Sequence, residues 1–321
     1  MFPQLRLRRL RQSATLRKLL QENHLHRDDL IYPVFIVPGK SVYREIKAMP
    51  GQYQYSVDQL DRLIPAIKKS GILAVLLFGQ TESKNAGGSS ATENNSVVTQ
   101  AIKMLKKALP DLIIMTDICL CSYTDHGHCG PLCQGAVDND ATLKIISKMA
   151  VQHAKAGADF VAPSGMMDGM VGALRDALDQ ADLLQTGIVS YAVKYASSFY
   201  GPFREAADST PQKGDRKSYQ MNPGNALEAL READLDVAEG ADMLMVKPGM
   251  PYLDILSKLR AQFDLPILAY QVSGEYSMIK AAAEKGWIDE KSVILESLLG
   301  FKRAGATAII TYFALDVAGW L

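Results

Sequence analysis

Short apolar runs alternate with amphipathic or alanine-rich stretches along most of this chain of 321 residues. Eight such runs occur, at 31–37, 74–78, 112–118, 160–163, 188–193, 243–246, 267–272 and 308–313, and most are rich in β-branched residues. Continuous apolar runs of this length mark strands buried on both faces, whereas a half-exposed strand would alternate. The intervening stretches carry helical patterning at 57–69, 97–109, 141–156, 170–181, 226–239 and 252–262, with one more helix after Tyr276. Strand followed by helix throughout predicts a parallel sheet. Eight repeats in a chain of this length predict that the sheet closes, an α/β fold of the (β/α)8 TIM-barrel type. The barrel is expected over residues 30–321, behind an extended N-terminal arm at 1–29.

Two stretches break the rhythm: 80–95, full of Gly, Ser and Asn, and 197–222, polar with several basic residues. Loops this long in a compact domain are usually functional. In a barrel the loops after the strands build the active site, so the second is a candidate lid. Reading off the strand ends gives the rim such a site would use. The third strand ends in Asp117, Cys119 and Cys121, the fourth at Ser164, the fifth at Lys194, the sixth at Lys247, the seventh at Ser273 and the eighth at Tyr312.

Lysine at the end of a buried strand is costly, because desolvation disfavours its charged form. A neutral amine in an enclosed site is what Schiff-base formation with a ketone requires, so Lys194 and Lys247 are candidate covalent catalysts. Either lysine alone could instead snorkel or pair with a carboxylate; two at equivalent positions weaken that reading. The four cysteines fall together, at Cys119, Cys121, Cys129 and Cys133, beside His126 and His128. Clustering without a secretion signal favours metal ligation over a disulfide framework. Cys119, Cys121 and Cys129 offer soft donors that suit zinc and would leave a catalytic open position. Cys133 or a histidine could close the tetrahedron, and the spacing leaves that open; the histidines read better as hydrogen-bond donors around the ligands. In the candidate lid, Arg204 and Arg216 could grip a substrate carboxylate with their guanidinium forks.

Composition acts mainly by exclusion. Lysine plus arginine balances aspartate plus glutamate, 35 against 35, so no overall field draws nucleic acid or an anionic membrane. No apolar run approaches the roughly 20 residues of a membrane span. The basic N-terminus, with Arg6, Arg8, Arg9, Arg11, Arg17 and Lys18, lacks the apolar core of a secretion signal. No glycine-rich dinucleotide fingerprint or P-loop is present. A small-molecule partner and a cytoplasmic location are expected.

Four segments together resemble the porphobilinogen synthase family, also called 5-aminolevulinate dehydratase: 116–129 (TDICLCSYTDHGHC), 162–169 (APSGMMDG), 197–204 (SSFYGPFR) and 245–254 (MVKPGMPYLD). The resemblance covers nearly the whole chain. It implies condensation of two 5-aminolevulinate molecules to porphobilinogen with loss of two waters, in tetrapyrrole biosynthesis. It implies Schiff bases to the first substrate on Lys247 and to the second on Lys194, within 190–194 (SYAVK). Arg204 and Arg216 would hold the carboxylate of the second substrate, Ser273 and Tyr312 that of the first, with Asp117 and Ser164 in support. The retained cysteines imply zinc on Cys119, Cys121 and Cys129. Glu232, in 231–236 (READLD), matches the place of an activating magnesium. The arm would embrace a neighbour in a homo-octamer. Two rivals remain at this stage: a Schiff-base aldolase with one essential lysine and a structural zinc, and a zinc-dependent redox module using the barrel as a scaffold.

Overall fold

The computed structural model describes residues 4–321. Among them, eight parallel strands close into a barrel: β1 (Leu30–Ile36), β2 (Ala74–Gly79), β3 (Ile113–Ile118), β4 (Phe160–Pro163), β5 (Gly187–Lys194), β6 (Met243–Lys247), β7 (Ile267–Gln271) and β8 (Ala308–Thr311). Each pairs with its sequence neighbour, and β8 returns to β1 through Leu30 opposite Ile309 and Ile31 opposite Ile310. The strand boundaries expected from the apolar runs hold to within two residues, because strands buried on both faces cannot hide polar positions. β1, for example, is buried at all seven residues.

The helices form the outer ring and start and stop where local chemistry dictates. In Asn139–Ala156, the Asp138 carboxylate accepts from the Ala141 amide at 3.0 Å, and Gly157 ends the helix in the left-handed region. The structure corrects the expected helix at 57–69. It divides into a 3-10 turn, Val57–Arg62, and an α-helix, Ile64–Ser70, because Pro65 lacks an N–H and fits a first turn better than a helix interior. The region after Tyr276 holds two helices, Ser273–Glu284 and Glu290–Arg303, separated by a turn with Gly286 at φ +69°.

Two hairpins were not expected. One, Tyr43–Glu45 with Tyr53–Tyr55, extends β1 by placing Gln54 opposite Phe35. The other is Leu132–Cys133 with Ala136–Val137. Strands of two or three residues are too short to register as a period. Ahead of the barrel, Leu7–Arg11 and Ala14–Leu19 are short helices with no buried residue, and Leu5, Leu7 and Leu19 are 88%, 74% and 78% exposed. Among the described residues no helix is long and apolar enough to cross a membrane.

Candidate active site

The register of the sheet places the two lysines. Lys194 and Lys247 are the last residues of β5 and β6 and stand directly opposite one another. Both are buried, at 5% and 4% exposure. The Lys247 ammonium lies over five aromatic rings, with centroids at 4.3 Å (Tyr270), 4.9 Å (Phe203), 5.1 Å (Tyr191), 5.5 Å (Tyr200) and 5.9 Å (Phe78). Burial pushes its pKa down to about 7; the Lys194 charge adds in the same direction, while Asp117, Cys121 and Cys119 oppose. Lys194 donates to the Ser164 carbonyl and faces the other side of the Tyr191 environment, 5.5 Å from that ring centroid.

Asp117, on β3, lies close enough to both lysines to feel their charges. Burial raises its carboxyl to about 6, the Cys121 sulfur adds, and Lys194 and the Ser164 hydroxyl pull it back. Its Oδ1 has no hydrogen-bond partner, nor do the hydroxyls of Tyr191 and Thr116. Unpaired buried polar atoms concentrated at one strand end are what a site awaiting a polar ligand should display. Tyr312 follows β8, stacks parallel on Phe35 and shares a hydrogen bond of 3.1 Å with the Tyr270 hydroxyl. Ser273, the first residue of its helix, is fully buried, and its Oγ accepts from the Phe203 amide at 2.9 Å.

That last bond belongs to the lid. Residues 197–222 are ordered over the rim and include the short helix Gly201–Ala206. Backbone approach is close on both flanks. A side chain on Gly274 would press to 2.5 Å from the Phe199 carbonyl oxygen, and one on Gly127, at φ +73°, would overlap the Thr210 carbonyl. The lid carries Arg204 and Arg216. Arg216 Nη2 donates to the carbonyls of Ser209 (2.6 Å) and Gly127 (2.8 Å), while the Nε atoms of both arginines are buried without partners. Burial alone would lower Arg216, but the sulfurs of Cys129, Cys121 and Cys119 hold it in its charged form and raise its pKa overall.

The sulfurs of Cys119, Cys121 and Cys129 lie within 4.8 Å of one another and are buried. Tetrahedral zinc with Zn–S bonds of about 2.3 Å needs sulfurs just under 4 Å apart, so the trio fits zinc with small side-chain shifts. Hydrogen bonds from the Cys119 and Cys121 thiols, aided by the charges of Arg216 and Lys194, depress the Cys129 thiol, which favours a thiolate donor. Cys133 is exposed on its hairpin and stands outside the trio. The histidines connect elements instead: His128 bonds the Tyr219 hydroxyl (3.1 Å) and the Lys213 carbonyl (2.9 Å), and His126 the Ala86 carbonyl (3.2 Å). Glu232 lies elsewhere, with Asp168, Glu228 and Asp236 in a cavity of about 470 Å³ outside the barrel. Burial and the charges of Asp168 and Glu228 raise its carboxyl.

Sequence reasoning overlooked Gln220, which is buried in the lid with both side-chain amide atoms unpartnered, and the aromatic box around Lys247. Gln220 sits one turn beyond Arg216, and that spacing was the available signal.

A family model for delta-aminolevulinic acid dehydratase matches residues 4–320. The chain belongs to the delta-aminolevulinic acid dehydratase family. Curated dehydratases of Halalkalibacterium halodurans and a Synechocystis species are 55% and 54% identical, over 98% and 100% of this chain and 96% and 99% of theirs. The crystal structure of the Toxoplasma gondii dehydratase (porphobilinogen synthase), in complex with its reaction product porphobilinogen, superposes with a TM-score of 0.97. It is 46% identical and covers 99% of this chain and 92% of that one.

Proposed function

We propose that this member of the dehydratase family condenses two molecules of 5-aminolevulinate to porphobilinogen with release of two waters, serving tetrapyrrole biosynthesis. The observation that carries this reading is the pairing of Lys194 with Lys247, both buried, across the ends of β5 and β6. An aldolase of this chemistry needs one lysine there; joining two keto acids through two imines needs two.

Lys247, whose pKa burial pushes down to about 7, attacks the ketone of the first substrate as the neutral amine, and the carbonyl oxygen leaves as water. Its aromatic box excludes bulk water, which would otherwise hydrolyse the imine. Ser273 and Tyr312 donate to that substrate's carboxylate; the Ser273 oxygen accepts from the Phe203 amide, and its hydroxyl would turn to the carboxylate from the long 3.4 Å bond it makes to the Phe199 carbonyl. Lys194 forms the corresponding imine with the second substrate, whose carboxylate Arg204, Arg216 and Gln220 hold from the lid. Asp117, raised to about 6 and facing both lysines, takes and returns protons as the carbon–carbon and carbon–nitrogen bonds form and the bonds to the two lysines break, releasing Lys247 and Lys194 as free amines, and Ser164 orients it. Cys119, Cys121 and Cys129 would hold zinc, which would supply Lewis-acid chemistry to the site when bound.

We further assign Glu232 to an activating magnesium, supported by the surrounding carboxylates of Asp168, Glu228 and Asp236. The arm, residues 1–29, is assigned to subunit contacts in a homo-octamer, a role its exposed leucines suit.

The test is conversion of 5-aminolevulinate to porphobilinogen by the purified protein, before and after a zinc chelator and after zinc is restored. Activity lost and regained supports both the condensation and the cysteine site. Activity that survives zinc removal refutes the metal's role, and no product from folded protein with zinc and magnesium refutes the condensation.

A further inference from the structure

The turn after the short lid helix is gripped from outside by side chains of two other strand ends. Gln54 Nε2, from the hairpin beyond β1, donates to the Ala206 carbonyl at 2.7 Å. Gln80 Nε2, the residue after β2, donates to the same oxygen. Lys84 Nζ, four residues further on, donates to the Asp208 carbonyl and pairs with its carboxylate, both at 2.5 Å.

Two features show that this grip is built. Arg44 forks onto Gln54 Oε1 with Nε at 2.8 Å and Nη2 at 2.6 Å, which consumes the acceptor end and leaves the amide NH2 facing the lid. Asp208 has φ +46°, a left-handed state that aspartate tolerates better than most residues, and this turn presents both its backbone carbonyl and its carboxylate to Lys84.

The inner side of the same turn ties the two lid arginines together. The Ser209 amide bonds the Arg204 carbonyl at 2.9 Å, and Arg216 Nη2 bonds the Ser209 carbonyl at 2.6 Å. Ala206 to Ser209 therefore joins the outer latch to the Arg204 backbone and, through the Ser209 carbonyl, to the Arg216 guanidinium. The remaining Nε donors of Arg204 and Arg216 point at no protein partner.

We propose that Gln54, Gln80 and Lys84 are positioning residues that hold the lid turn so that Arg204 and Arg216 meet the carboxylate of the second substrate. They set affinity chiefly at the Lys194 subsite, which takes both of its arginines from the lid, and affect the Lys247 subsite less. This rests on the assignment of the two lysines to two substrates. Three of the rings around Lys247, Phe78, Tyr191 and Tyr270, stand on barrel strands and two, Tyr200 and Phe203, come from the lid, whereas both arginines of the Lys194 subsite come from the lid, so the latch acts more strongly on the Lys194 subsite.

The test uses 4-oxopentanoate, a keto acid that lacks the substrate's amino group and so forms an imine without closing a ring. The full-length zinc-loaded protein is titrated with it and reduced with borohydride, and the peptides carrying Lys194 and Lys247 are quantified by mass spectrometry. The unaltered chain should label at both lysines. In the Gln54→Ala/Gln80→Ala pair, and separately in Lys84→Met, half-saturation at Lys194 should rise about tenfold, the scale of one lost net hydrogen bond. The Lys247 curve should move clearly less than the Lys194 curve, and Lys84→Arg should restore the latter. Lys84 is partly exposed, so its variants test the proposal even if the double variant does not fold. Equal shifts at both lysines, or none at either, in folded protein would overturn the latch. Absence of label at both lysines in the unaltered chain would instead overturn the two-imine reading beneath it.

Discussion

Lys247 titrates near neutrality because its ammonium is buried and stands opposite a second lysine; both effects favour the neutral amine. The sign of the pH dependence follows. Below about 7 the group carries a proton and cannot attack a ketone, so kcat/KM for 5-aminolevulinate should climb through a limb near pH 7 and level off above it. Lys194, Asp117, Cys119 and Cys121 all face this group, so the limb belongs to the cluster, and Asp117 at about 6 broadens its acid side. A rate that is flat from pH 5.5 to 9 would contradict this origin. Replacing Lys247 or Lys194 by methionine keeps most of the packing volume and removes the nucleophile. Turnover should fall by at least about a thousandfold in either variant, as covalent catalysis implies, with melting temperature little changed. Residual turnover within tenfold of the parent in either one would show that its imine is dispensable.

At the scale of elements, the strands were legible and the lid's internal structure was not. Residues 243–246 could be little other than a buried strand, and Lys247 therefore had to be a rim residue. Hydrophobic periodicity carries no information on a turn held by Gln54, Gln80 and Lys84, because those contacts join residues more than 120 positions apart. The same holds for Gln220, an ordinary polar residue until its burial is seen. Gly274 was equally silent: it is needed only because the Phe199 backbone passes over it. Gly274→Ala should displace the start of the lid and raise KM at least about tenfold, given how steeply catalysis depends on positioning. An unchanged KM would mean that the lid tolerates the shift.

The helix Asn139–Ala156 carries a different liability. His153 is buried with neither ring nitrogen partnered, and burial alone lowers its pKa from 6.5 to about 3. The unfolded chain takes up this proton near pH 6.5 and the folded chain near 3, so stability falls as pH drops below 6.5. The loss is about 2 kcal/mol at pH 5 by linkage. Buried Glu275 works in the opposite sense, its carboxyl being raised to about 8, so the contrast must come from a variant. Urea unfolding of His153→Leu should show a gain over the parent that is larger at pH 5 than at pH 8 by about that amount. Equal differences at the two pH values would contradict the account.

For the whole molecule, the barrel explains why residues from five strands meet. Asp117, Ser164, Lys194, Lys247 and Tyr312 are separated by up to 195 positions in sequence and share one rim because parallel strands end together. The sequence motifs identified this rim because its chemistry is concentrated in short segments. The outward-facing leucines of the arm have no use within one chain. Removing residues 1–20 should lower the mass measured by light scattering below that of the full-length assembly, and an unchanged mass would remove the arm from subunit contacts.

In the two-imine mechanism each lysine holds one substrate. Borohydride quenching of the zinc-loaded enzyme during turnover of 5-aminolevulinate, followed by peptide mapping, tests it most directly. Substrate-derived adducts on both Lys247 and Lys194 are expected. Adducts confined to one lysine while porphobilinogen accumulates would contradict the two-imine mechanism.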